Sequence, residues 1–342
     1  MRVFVLLPVS LLALAAAAPG TGARGQAAPE PAPAASAPAS APGRGTLKPE
    51  SFEVIEVKLS PAAVLGGAEP NAPGNAADDY RKAIQACDAN AADIAGAMDR
   101  MDEIAAGTCT PPPAVVKVLE KVLEHVTAGA AKKEMQFTAP GDIAVRYADD
   151  RAARLVRVSE ALGLLANVYY AAKDYEKVER VLRAKLVMGW HMAGEHVRAT
   201  MCLGGLEVQG RAAGTMVMVY DKWNKDDRAE VRKAAAEYVS AVGKASKAYR
   251  GKFFQVWKVT PEPDNVFAVA EADKDRAWRV EAMLLCGVIR FTHSDDADVR
   301  KSATKWIGAG AKDADPFVKA AAAAARDLTK KAYDHVSDPA ER

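Results

Sequence analysis

Leu162 to Trp190, LGLLANVYYAAKDYEKVERVLRAKLVMGW, constrains the fold of this chain more than any other stretch. With the residues just before it, Leu155, Val158, Leu162, Leu165 and Tyr169 recur at spacings of three and four, which places them on one stripe of a helix. Lys173-Asp174 interrupts that pattern. Tyr175, Val178, Leu182 and Leu186 then rebuild an apolar stripe, with Glu176, Lys177, Arg180 and Arg183 facing outward. Two amphipathic helices joined by so short a break pack antiparallel as a hairpin.

Within this hairpin, LANVYYAAKDYEKVERVL resembles the core of a tetratricopeptide repeat. Leu165-Ala166 fall where that family has Leu-Gly, Tyr169 where it has Tyr, Asp174-Tyr175 at its turn and Leu182 at its second-helix aromatic. The departures are Leu162 for the first-helix Trp, Val178 and Lys185 for two small alanines, and Trp190 where Pro ends the unit. The resemblance covers about one repeat. Trp190, Trp223 and Trp257 follow at intervals of 33 and 34 residues, which matches the period of that family. On this basis residues 151–257 are expected to form helix pairs. A second pair covers Glu195 to Val208 and Ala212 to Trp223, broken at Gly210. A third covers Asp227 to Val242 and Lys244 to Trp257, broken at Gly243.

The N-terminus reads as a secretory signal over residues 1–23. Met1-Arg2 gives a short basic start, and Val3 to Ala18 is apolar but short for a membrane span. Ala15-Ala16-Ala17 or Thr21-Gly22-Ala23 offers a cleavage site; an uncleaved anchor is the alternative. Export to a periplasmic or extracellular space is therefore expected. Residues 24–50 are an Ala/Pro-rich tether with too little apolar bulk to offset the entropy of ordering.

Residues 51–128 read as an N-terminal helical region. Phe52 to Leu59 alternates as one short strand, and Asn75 is placed to cap a helix carrying Tyr80, Ile84 and Cys87. A further helix carries Ile94, Met98, Met101 and Ile104. Thr110-Pro111 opens another with Val115, Leu119, Val122 and Val126. In the C-terminal region, 265–338, Arg276 to Phe291 forms a helix. The echoing segments DADVRKSATKWIG and DADPFVKAAAAAARDL then resemble a HEAT-type helix stack. The predicted fold class is all-α, a tetratricopeptide-like α-solenoid of stacked hairpins following the signal peptide and the disordered tether.

The 46 basic and 44 acidic residues give a formal net charge of +2, which argues against a nucleic-acid partner. No long apolar run lies beyond residue 18, so no transmembrane span is expected in the mature chain. Cys87 and Cys109 bracket one predicted helix and are the candidate disulfide pair, worth on the order of 3 kcal/mol. Cys202 and Cys286 read as buried free thiols. His191, Glu195 and His196 are the one constellation suggestive of a metal. Their histidines lie at i and i+5, about 140° apart around an ideal helix, so no metal site is expected. Gly204-Gly205 and Gly210 lack the Lys-Ser/Thr of a nucleotide loop, so no cofactor is expected either.

The resemblance implies that the first helix of each pair lines a concave face carrying Glu160, Asn167 and Tyr170, with Arg198 on the next first helix. Asn167 matches a position that family members use to hold a peptide backbone, and Gly163 stands where clamp-type repeats carry Lys. The expected function is non-catalytic: a protein-binding or scaffolding module taking a protein or peptide partner. The alternatives are a helical enzyme with an acid/base site that shows no motif, and a purely structural secreted protein.

Overall fold

Apolar residues spaced for helices fill this chain, and helices are what it forms. The computed structural model describes residues 55–67, 69–144, 150–223, 228–256 and 261–328. The expected signal peptide and tether, residues 52–54 of the expected strand, Trp257 and residues 329–338 of the expected C-terminal region lie outside the described residues. Among those described are twelve α-helices and one two-stranded parallel sheet, an all-α helical stack. No helix among them is long and apolar enough to cross a membrane.

The central hairpin is α5 (Asp150–Ala171) and α6 (Tyr175–Glu195). Leu155, Val158, Leu162 and Leu165 on α5 and Val178, Leu182 and Leu186 on α6 are all buried, as their spacing predicts. The chain reverses at Lys173, whose φ of 59° is left-handed, and Asp174 caps α6 by accepting from the Lys177 amide. Next comes α7 (Ala199–Trp223), lying along α6 and beside α5, and then α8 (Ala229–Val256) against α7.

The expected breaks at Gly210 and Gly243 do not occur: α7 and α8 each run straight through. A glycine inside a helix costs only about 1 kcal/mol, and the buried stripes continue past it. Val208, Ala212 and Met216 carry the stripe on α7, and Val242, Ala245 and Tyr249 carry it on α8. A Cβ at Gly210 would stand 3.4 Å from the Val242 side chain, so that glycine admits α8 rather than ending α7. Trp190 consequently lies inside α6, and the tryptophan interval does not mark the ends of helix pairs.

Where α6 crosses α7 the backbones nearly touch. A Cβ on Gly205 would fall 2.4 Å from the Ala193 amide nitrogen, and one on Gly189 would fall 2.8 Å from the Gly205 carbonyl. The buried Gln209 amide donates to both the Gly189 and Gly205 carbonyls at 3.1 Å. Its Oε1 lies 2.5 Å from the Tyr238 hydroxyl. Gly205→Ala is therefore expected to destabilise the chain by about 1–3 kcal/mol through overpacking. Gly214→Ala, on the same helix with nothing within 4 Å of its Cβ, should stabilise it by about 0.5–1 kcal/mol. Urea unfolding of the two variants checks this: midpoints shifted in the same direction would contradict the crossing geometry.

The N-terminal region packs α1 (Ala77–Asp88) on α4 (Pro113–Ala130). The short α2 (Ala91–Met98) and α3 (Met101–Ala105) complete it, and all four touch α5. The single helix expected over 94–104 is thus two, divided at Asp99-Arg100. The opening of α4 falls at Pro113 rather than at Pro111, with Pro112 in the cap position. Residues 55–59 form no strand; they lie as a strap with Val57 buried and Lys58 4.6 Å over the Trp190 ring. The strands are instead β1 (Ala72–Asn75) and β2 (Lys132–Glu134), paired in parallel. The N-cap of α1 is Ala76 rather than the expected Asn75, which braces the turn just before it. The Asn75 Oδ1 accepts from the amides of Ala77, at 3.0 Å, and Gln136, at 2.9 Å.

At the other end, α10 (Arg276–Thr292) packs against α9 (Pro263–Ala272), α11 (Ala297–Gly310) and α12 (Pro316–Asp327). Asp275, Asp296 and Asp315 cap α10, α11 and α12. In two of these the preceding acid braces the cap. Asp273 accepts from the Asp275 amide at 3.0 Å, and Asp313 from the Asp315 amide at 2.8 Å. The nearer structural echo of 313–318 is therefore 273–278 rather than 296–301.

Candidate functional site

The expected concave face rests on α5 and α7, which run side by side. Glu160 on α5 reaches Arg211 on α7 at 3.5 Å, and Arg211 also pairs with Glu207 one turn earlier on its own helix. Beneath them Lys185 of α6 is buried, and its Nζ would stand 3.3 Å from a Cβ at Gly163. Gly163 thus leaves room for a lysine that rises from the second helix of the pair. Burial pulls the Lys185 amine down to about 8; the Arg211 charge adds to this and Glu160 opposes it. Burial likewise raises the Glu207 carboxyl, against the pull of Arg211 and Arg250.

Farther along α5, Asn167 and Tyr170 are half-buried. Tyr170 begins a row of aromatic rings: its centroid is 5.9 Å from Tyr175, which lies 6.0 Å from Trp223, itself 6.3 Å from Tyr220. The α5–α7 face therefore joins a charged triplet to a polar amide and an aromatic end. Glu160, Asn167 and Tyr170 all stand on α5, and Glu160 is the one of them paired with α7. Sequence reasoning missed Lys185, Glu207, Arg211, Tyr175 and Trp223. Glu207 and Arg211 on α7 stand one turn apart, a signal hidden by the presumed break at Gly210.

Arg198 is not on this face. It sits in the link between α6 and α7, 5 % exposed, with Nε 2.7 Å from Oε1 of the fully buried Glu281 on α10. The same Oε1 accepts from the Ala199 amide at 3.2 Å. The expected placement took the next helix to begin at Glu195; it begins at Ala199, so Arg198 precedes it and turns inward.

The constellation His191, Glu195 and His196 disperses. His191 Nδ1 lies 2.7 Å from the Tyr80 hydroxyl, and burial holds this imidazole down to about 4. Glu195 Oε1 accepts from the amides of Phe137 and Thr138. His196 ends α6 in a left-handed conformation, φ 54° and ψ 38°, with Nε2 2.8 Å from Asp275 Oδ1 and Nδ1 3.7 Å from Cys202 Sγ. Burial pulls the His196 imidazole down, but the Asp275 and Cys202 hydrogen bonds and charges override it and carry it up to about 10. Among the described residues no group of three or more His, Cys, Asp or Glu is placed to hold a metal ion.

All four cysteines are free thiols. The candidate bond between Cys87 and Cys109 is not formed: Cys87 is buried, and the half-buried Cys109 turns its sulfur to the Thr110 carbonyl at 3.7 Å.

A cleft of about 770 Å³ opens between β1, residues 133–136, the end of α6 and the start of α10. Lys58, Lys133, Glu134, His191, Glu195 and Arg276 line it. Several of these groups are already engaged: Glu195 with the two amides, Arg276 with Asp315 at 2.7 Å and Lys58 with the Trp190 ring. Comparison with protein families, with curated proteins and with solved structures gives no match to this chain.

Proposed function

We propose that the chain is an exported, non-catalytic helical-repeat protein whose α5–α7 face binds an extended peptide or an amphipathic helix of a partner protein. The observation that carries this reading is the half-buried row Glu160, Arg211 and Glu207 continuing into Asn167 and Tyr170 across two adjacent helices. A peptide backbone needs amide-type partners and its side chains need shallow apolar and charged seats, and this row supplies each. The tetratricopeptide resemblance of 162–190 supports the same assignment, because the first helices of such repeats form the binding surface. Export rests on the apolar run from Val3 to Ala18 behind Arg2.

Peptides selected from a random display library against the full chain provide the test. Asn167→Ala combined with Tyr170→Ala should weaken their binding by about tenfold or more, as loss of an anchoring aromatic does at an interface. The melting temperature should stay put, because both side chains are only half-buried. Undiminished binding by the folded double variant would move the site off this face.

A further inference from the structure

Lys185 rises from α6 beneath α5 and α7 and is 7 % exposed. Among the described residues no hydrogen bond or ion pair reaches its amine; Glu160 and Arg211 act on it through their charges. A buried ammonium without a partner is costly, so burial beside a guanidinium favours the neutral amine. Burial first and Arg211 second hold it at about 8, against the opposing pull of Glu160. A desolvated lysine next to a second cationic group is a nucleophile.

The way to this amine passes Gly163, which is half-buried on α5. Apart from its chain neighbours and the backbone of its own helix, only Lys185 Nζ stands within 4 Å of a Cβ placed there, at 3.3 Å. The missing side chain is therefore an opening onto the amine, and its width suits a small molecule. The nearby Glu160 and Glu207 carboxylates disfavour an anionic one. Arg211 on α7 stands between those two carboxylates, 3.5 Å from Glu160, with its side chain 30 % exposed. Its planar fork is matched to a carboxylate formed at the opening.

We propose that Lys185 is an acceptor of carbon dioxide, converted to the lysine carbamate with Arg211 holding the product and Glu207 taking the proton. The neutral Nζ attacks the carbon of carbon dioxide, so an N–C bond forms as one C=O π pair moves onto oxygen. One Nζ proton passes to the Glu207 carboxylate, leaving Nζ(H)–COO⁻ beside a neutral carboxyl. Nothing is oxidised or reduced, and the summed charge of Lys185, Glu207, Glu160 and Arg211 is the same before and after. Burial raises the Glu207 carboxyl, against Arg211 and Arg250, which suits it to hold that proton. Carbon dioxide fits the opening because it is small, linear and uncharged, and because only its product carries the charge that Arg211 can hold. This modification is separate from peptide binding at the α5–α7 face and does not depend on it.

Lys177 provides the internal control, on the same helix and 57 % exposed. The folded full chain is equilibrated with isotopically labelled bicarbonate near neutral pH. Carbamates are then trapped as ethyl esters with triethyloxonium and located by peptide mass spectrometry. Lys185 should carry about tenfold more label than Lys177, or more, because a larger share of its amine is neutral. Label absent from Lys185, or equal at the two lysines, overturns the proposal in the unaltered chain. Arg211→Gln removes the group that holds the product and, by lifting its repulsion, lets the Lys185 amine rise toward its ordinary value. Both effects act in the same direction, so in that variant, folded by its melting curve, the label at Lys185 should fall by about tenfold. Undiminished label there overturns the proposal.

Discussion

Arg198→Ala is expected to cost about 3–5 kcal/mol of folding stability, because it leaves Glu281 buried without its countercharge. Glu281 is 0 % exposed and the Arg198 side chain 6 %. Almost no solvent reaches the pair to soften the loss, and the Ala199 amide at 3.2 Å cannot replace a guanidinium. The contrast is Arg211→Ala on the same helical layer. Arg211 is 30 % exposed and its partners Glu160 and Glu207 are 15 % and 17 % exposed, so its removal should cost about 1 kcal/mol or less. Urea unfolding separates the two, and equal midpoints would mean that the link between α6 and α7 does not hold α10 in the manner described. Replacing Arg198 and Glu281 together by Met and Leu should recover most of the loss, because the penalty comes from the orphaned charge.

Leu165→Ala is the second large effect, expected at about 2–5 kcal/mol from lost transfer energy and the cavity left behind. Leu165 is 0 % exposed on α5, and Leu182, on the helix it packs against, is 1 % exposed. Lys177→Ala, twelve residues further on, should stay within about 0.5 kcal/mol. That lysine is 57 % exposed and its partner Asp174 is itself partly open to solvent. Thermal or urea unfolding reads both, and a Lys177→Ala variant as unstable as Leu165→Ala would mean that the hairpin faces are assigned the wrong way round.

Local pattern made some of this legible and topology withheld the rest. The stripes of α5 and α6, the turn at Lys173-Asp174 and the capping aspartates before α11 and α12 follow from spacing and chemistry within about one helical turn of each other. Gly210 and Gly243 were read as breaks because propensity is local. What decides their fate is an apolar stripe that extends beyond them on both sides. β1 and β2 were invisible because APGN and KKE pair across 60 residues, and neither alternates as a strand. The bonds from Arg198 to Glu281, 83 residues apart, and from His196 to Asp275 likewise leave no trace in the spacing of either segment. The helix that carries Glu160, Asn167 and Tyr170 is legible from its apolar stripe. Arg211 was missed because the helix that carries it was cut in two.

The assignment of the α5–α7 face as the binding surface is tested most directly by photo-crosslinking. A display-selected peptide carrying a benzophenone is bound to the full chain, irradiated and mapped by mass spectrometry. Crosslinks should fall on α5 near Asn167 and Tyr170 and on α7 near Glu207 and Arg211. Crosslinks concentrated instead around Lys58, Lys133 and Gln136, at the cleft beside β1, would contradict it.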